Sequence, residues 1–280
     1  MTSPLLHAPH YLLIDGAQCQ DDSPAQALLE DPQAQPLYRD LGAEAAQVGP
    51  WLLPANPERL ALADACVRSE SARFAISYLY ADGAPDLPDA QAHLQHLRHV
   101  VAMNSSRQRY YLRYADSRAF AALWAALGEH ARNQIMGPLS VWSWWDAAGQ
   151  RCMAIRPALA NTPPPPSWPL RLTPAQFKQI IDVARLGELL AMVEEYLPDY
   201  LENVPLAQRW AGVRTASQWL AQRAIEPVPV RMAVVAVTLR QTARNLDDPD
   251  FEAVVRAAGD TPTAVLAWQP AAEVRNAQAR

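Results

Sequence analysis

The sequence predicts an α+β or α/β fold: an N-terminal mixed α/β lobe with a central sheet, a proline-rich linker, and an all-α C-terminal lobe. Three observations predict it. Short strand-like runs alternate with helical stripes as far as Ile155. Asn161–Pro169 reads NTPPPPSWP, which suits neither a helix nor a central strand and fits a polyproline spacer. Beyond it, apolar residues recur at helical spacing only. The expected boundaries are 1–156 for the α/β lobe, 157–172 for the linker and 173–280 for the helical lobe.

His10–Asp15 (HYLLID) is a short apolar run closed by the turn signal Asp15-Gly16, and Pro50–Leu53 is a second run, closed by Pro54. Asn56-Pro57 opens a helix, with Asn as N-cap and Pro in the first turn, and Leu60, Ala63 and Val67 facing inward. Arg73–Tyr80 (RFAISYLY) is rich in aromatic and branched residues and predicts a strand. Ala90–Val101 predicts a helix with Leu94 and Leu97 inward. Arg109–Tyr114 alternates, with Tyr110, Leu112 and Tyr114 on one face and Arg109, Tyr111 and Arg113 on the other. Asp116 N-caps a helix whose Phe120, Leu123, Trp124 and Leu127 form an apolar stripe. Leu139–Asp146 and Gln150–Ile155 flank Gly149 as a hairpin. Past the prolines, Thr173-Pro174-Ala175-Gln176 is a capping-box start, and Phe177, Ile180, Ile181, Ala184, Leu189, Leu190 and Val193 continue the stripe. Helices are expected over Leu206–Arg223, Val230–Asn245 and Asp250–Ala258, with a frayed tail over Glu273–Arg280.

The net charge of -5 leaves no basic surplus for phosphate contacts, so nucleic acid is not an expected partner. Lys178 is the one lysine. Cys19, Cys66 and Cys152 are odd in number and widely spaced, which predicts free thiols and neither a disulfide framework nor a zinc site. Met1–Pro9 lacks the pattern of a signal peptide, and the most apolar run, Met232–Val237, is too short to span a bilayer. A cytoplasmic location and no membrane span are the expectations.

GxSxG, HExxH, P-loop, GxGxxG and EF-hand signatures are absent from the sequence. His93, His96 and His99 recur every third residue, yet no local carboxylate or cysteine joins them, and a solvated helix face is the reading; no metal or cofactor is expected. Asp21-Asp22 and Asp247-Asp248 sit beside turn signals, and Glu194-Glu195 falls late in a helix on its polar side; adjacency alone does not converge two carboxylates on a cleft. Trp142 and Trp144 should face one side of their strand, and Trp145 the other with Leu139 and Val141. Both faces then carry large apolar area, so either both are covered or one is a docking surface. Trp210 and Trp219 carry the same ambiguity.

The order of YLLIDGA (Tyr11–Ala17), PWLLP (Pro50–Pro54), LQHLRHVV, RYYLRYADSR (Arg109–Arg118) and GPLSVW (Gly137–Trp142) resembles the type VI secretion effector-chaperone family, whose defining domain was long catalogued as one of unknown function. The family's strand-to-helix motif, Arg-Phe/Tyr-Tyr-Asp-Pro-Arg, stands here as Arg113-Tyr114-Ala115-Asp116-Ser117-Arg118, departing at Ala115 and Ser117. Arg113, Asp116 and Arg118 either fix the strand-helix corner or touch cargo. The resemblance implies an adaptor and not an enzyme, one that binds a secreted toxic effector and helps load it onto a VgrG-type spike. Trp142, Trp144, Trp145, Arg113, Asp116 and Arg118 are the expected partner-binding residues. A structural component of a larger assembly, or an enzyme of unrecognised type built around Asp15, Asp116 or the histidines, are the competing readings.

Overall fold

The computed structural model describes residues 8–19, 23, 25–68, 72–81, 87–102, 108–158, 168–241 and 243–269. The expected proline spacer as far as Ser167, Asp21-Asp22 and the Glu273–Arg280 tail lie outside the described residues. The chain divides into two compact units, Met1–Val183 and Ala184–Arg280.

The first unit contains, in order, β1 (Tyr11–Asp15), α1 (Gln26–Leu29), β2 (Gln35–Pro36), α2 (Ala43–Val48), β3 (Pro50–Pro54), α3 (Pro57–Arg68), β4 (Ile76–Ala81), α4 (Leu87–His96), β5 (His99–Ala102), β6 (Arg109–Tyr111), α5 (Ser117–Ala126), α6 (Glu129–Met136), β7 (Leu139–Trp145), β8 (Arg151–Ile155), β9 (Leu170–Leu172) and the start of α7 (Pro174–Tyr196). Six strands form one sheet in the order β2-β3-β1-β4-β7-β8, with every neighbouring pair antiparallel. The mixed α/β character expected of this region is therefore observed.

Both faces of that sheet are covered. Leu13, Leu52, Leu79, Trp142 and Trp144 join a core with Leu94, Phe120, Leu123, Ile135 and Met136 of α4, α5 and α6. Leu12, Ile14, Leu53, Tyr78 and Val141 join a second core with Leu28 of α1 and Ala63, Cys66 and Val67 of α3. This double cover explains why β1 is a continuous apolar run and not an alternation: each successive residue enters a different core. Helix α3 starts as expected, Asn56 Oδ1 accepting from Arg59 N at 2.8 Å.

Several details differ from the sequence expectations, among them strand β9 inside the expected 157–172 linker. Helix α4 stops at His96, and His99–Ala102 is a strand pairing antiparallel with β6 and parallel with β9. The branched pair Val100-Val101 fits a pleated strand, and tertiary pairing outweighs the helical periodicity before it. In β7, Tyr80 faces Val141 and Ala81 faces Leu139, so Ser140 is an extra, bulged residue. Leu139 consequently enters the core of Trp142, while Val141 and Trp145 pack on the other side. Helix α6, unforeseen from the sequence, closes at Gly137, whose φ of +52° is left-handed and where an added Cβ would run into the His93 ring.

The second unit is helical: the rest of α7, then α8 (Leu206–Gln222), α9 (Val228–Arg240), α10 (Pro249–Ala257) and α11 (Thr263–Leu266). Helix α7 opens with the expected capping box, Thr173 Oγ1 accepting from Gln176 N at 3.3 Å and Gln176 Oε1 from Thr173 N at 2.9 Å. Helix α9 is buried almost all round, from Ala233 to Leu239, which is the pattern of a central core helix. Trp210 and Trp219 are core residues, with Trp219 Nε1 donating to Leu246 O at 2.9 Å.

Candidate functional site

The chain makes a corner where β6 passes into α5. Strand alternation turns Tyr110 and Leu112 inward and leaves Tyr111 and Arg113 outward. Leu112 N extends the pairing to Arg98 O at 2.9 Å, and Asp116 N then turns back to Arg113 O at 3.1 Å. Asp116 caps α5, its Oδ1 accepting from Arg118 N at 3.0 Å.

Two buried carboxylates and two arginines meet here. Arg118 forks onto Asp116, Nε to Oδ1 at 2.9 Å and Nη2 to Oδ2 at 2.8 Å. Arg113 Nη2 lies 2.7 Å from Asp15 Oδ2 and 3.9 Å from Asp116 Oδ2. Gln18 Nε2 donates to Asp15 Oδ2 at 2.8 Å, and Ala17 N to Asp15 Oδ1 at 3.3 Å. The cluster thus ties the end of β1 to the β6–α5 corner, 98 residues on in the sequence.

Burial raises the Asp15 pKa above its ordinary value; Arg113 and Gln18 oppose the rise, and Asp116 adds to it. Such an acid keeps its proton longer in the folded chain than in the unfolded one. Its share of stability is whole below 3.8 and is lost as pH climbs through the raised value. Asp15→Asn is expected to cancel that loss. In urea titrations across pH, the variant should gain on the wild type as pH rises above 3.8, and a constant difference would refute the assignment.

Beside the corner lies a hollow of about 370 Å³ lined by Asp15, Tyr38, Ala45, Val48, Tyr111, Arg113 and neighbouring backbone. Tyr111 is 57% exposed and Val48 51%, so large apolar groups meet solvent around a concave surface. The Tyr111 ring is braced by His99 at 4.7 Å and Tyr38 at 6.0 Å between centroids. Burial pushes the Tyr38 and Tyr114 phenols well up, which keeps both as neutral hydroxyls.

The other candidates lie elsewhere. Trp142 is fully buried, stacked on Phe120 with centroids 3.9 Å apart, and Trp144 is buried edge-on to the same ring. Neither is open to a partner in this form; Trp145 is half-buried against the second core. The three histidines separate: His93 and His96 flank Trp168, while His99 sits on β5 against Tyr111. His93 Nε2 is 2.8 Å from Ile135 O, and burial lowers its pKa. Among the described residues no group of three His, Cys, Asp or Glu is placed to hold a metal ion. Asp248 caps α10, accepting from Asp250 N at 2.8 Å, and Glu194 pairs with Arg209 at 3.3 Å. The Cys19 thiol is pushed up to about 12 by burial, then by Asp15 and Cys66, which makes it a poor nucleophile.

Sequence reasoning found Asp15, Arg113, Asp116 and Arg118 but not the hollow that Asp15 and Arg113 line. Tyr38, Ala45 and Val48 come from a stretch without periodicity, and only the fold brings them to Tyr111.

Among the described residues no helix is long and apolar enough to cross a membrane. No curated protein and no solved structure matches the chain. Residues 10–134, from the start of the sheet into α6 and including the whole ion-paired corner, match the family described as Domain of unknown function (DUF4123), and that is the family this part of the chain is similar to.

Proposed function

We propose that the protein is a non-catalytic cytoplasmic adaptor, which binds a type VI secretion toxic effector and helps load it onto a VgrG-type spike. The observation that carries this reading is the apolar hollow at Tyr38, Val48 and Tyr111, held in shape by the Asp15–Arg113 and Asp116–Arg118 pairs. Concave surfaces rich in Tyr and Arg suit protein binding, because Tyr buries large area at low entropic cost and Arg supplies a planar fork of donors. In this account the arginine-aspartate motif shapes the surface, and exposed aromatic and aliphatic groups make the contact.

The test is co-purification with a candidate type VI secretion toxin co-expressed with this chain. The toxin is expected to be retained by the wild type and lost with Val48→Asp. A deletion strain in which toxin stability and export are unchanged would end the proposal.

A second reading, an enzyme using Asp15, draws on the raised pKa of that residue beside a cavity. Against it, Asp15 Oδ2 accepts from both Arg113 and Gln18, and Oδ1 accepts from Ala17 N, so the carboxylate is already engaged in holding the corner together.

A further inference from the structure

We propose that the hollow is a docking site for a short peptide segment of another protein, one that carries large apolar side chains next to a carboxylate. The inference rests on reading the chain as a binding protein, and goes beyond it by naming the chemistry that is bound.

Size sets the first limit. A volume of about 370 Å³ is at the lower end for binding pockets and admits one or two large side chains, not a folded surface. The lining sets the second. Ala45, Val48, Pro50 and the faces of Tyr38 and Tyr111 offer apolar contact. The wall is ordered from behind, because Tyr114 and Asp15 beneath it are buried and Tyr114 packs edge-on to Trp142. A rigid aromatic wall loses little freedom when a ligand side chain enters.

Charge decides the rest. The Arg113 side chain is 55% exposed, and only its inner side is taken by Asp15. A guanidinium has five N–H donors, so donors remain on the solvent side. Arg109 lies on the same outward side of the chain as Tyr111 and Arg113, while Arg98, near His99, is paired with Asp40. The acids close by are occupied: Asp15 by Arg113, Asp116 by Arg118, and Asp40 by Arg98 at 2.6 Å. Glu44, exposed next to Ala45, is the acid left over among the described residues of this face. The spare solvent-side donors of Arg113 therefore select an anionic ligand group, and a carboxylate matches the planar fork of arginine. A basic peptide would meet the arginines and lose contact with Arg113.

The test pans a displayed library of random short peptides over the full chain, then measures selected peptides by fluorescence polarisation. Selected peptides are expected to hold neighbouring aromatic or aliphatic residues beside Glu or Asp. Changing that acid to its amide should weaken binding about tenfold, the scale of one charge-assisted hydrogen bond. Tyr111→Glu, at a position 57% exposed and with its fold checked by circular dichroism, should weaken every selected peptide at least as much. Arg113→Gln should erase the difference between acid and amide peptides; circular dichroism checks its fold, and Tyr111→Glu decides the matter if it unfolds. Selection of basic or purely apolar peptides, no selection at all, or equal binding by Tyr111→Glu would overturn the inference. So would a dimer, seen by light scattering, that Tyr111→Glu dissolves, since the face would then belong to a second copy. If the toxin co-purifies but no acidic apolar peptide is selected, this inference fails and the adaptor reading stands. If such peptides bind at Tyr111 and the toxin does not, the adaptor reading fails alone.

Discussion

Trp142→Ala is expected to destabilise the first unit by about 4 kcal/mol, the scale of truncating a large aromatic inside a packed core. Its indole is fully buried, lies flat on Phe120 and meets Tyr114 edge-on. The space cannot collapse easily, because β7 is held between β4 and β8 and its side chain is roofed by α5. Trp142→Phe should cost much less, about 1 kcal/mol. Trp142 Nε1 is buried with no hydrogen-bond acceptor among the described residues, so the smaller ring removes an unpaired donor while keeping the stack. Trp145→Ala, at a half-buried position, should fall between neutral and about 2 kcal/mol. Urea denaturation followed by circular dichroism reads all three. A cost for Trp142→Ala below that of Trp145→Ala would mean that Trp142 is not the centre of this core.

Arg118→Ala is the second large effect, expected at about 3 kcal/mol. It removes the two-pronged contact to Asp116, a buried carboxylate, and the guanidinium that lies 4.9 Å from the Phe74 ring centroid. What remains for Asp116 is Arg118 N and the more distant Arg113. The side chain of Arg118 is itself 32% exposed, which places the cost near the lower end for a broken buried pair. Arg118→Lys should recover part of the loss, since an ammonium supplies charge without the fork. Asp116→Asn should cost less than Arg118→Ala, because the amide oxygen still caps α5. If these residues serve only to touch cargo, Arg118→Ala will leave the urea midpoint where it is and weaken toxin binding alone.

The parts of the fold legible in the sequence were those set by local chemistry. Asn56, Asp116 and the Thr173–Gln176 pair named their helix starts because each makes its bond within three residues. Gly149 named its turn for a similar reason, with φ at +71°. What was hidden depends on distant partners. His99–Ala102 becomes a strand only because β6 and β9 lie on either side of it. The bulge at Ser140 comes from its pairing with β4 and moves Leu139 to the other core, against strict alternation. At the site, the spacing of Arg113, Asp116 and Arg118 predicted a corner, and the corner is there. Its link to Asp15 required the sheet, and the hollow required α2 and Tyr38 as well.

Strand β9 comes after the proline-rich stretch in the sequence, yet it is the third strand of the β6-β5-β9 sheet. Leu170 and Leu172 sit in the core of Val100, and Trp168 and Phe177 pack against the same core. A polypeptide ended at residue 156 would therefore be an unfinished object: it would leave one side of β5 without main-chain partners and a greasy seam open to water. A chain nicked inside the prolines is a different matter. Its halves would stay clasped by the β5–β9 backbone hydrogen bonds and by the buried Leu170 and Leu172.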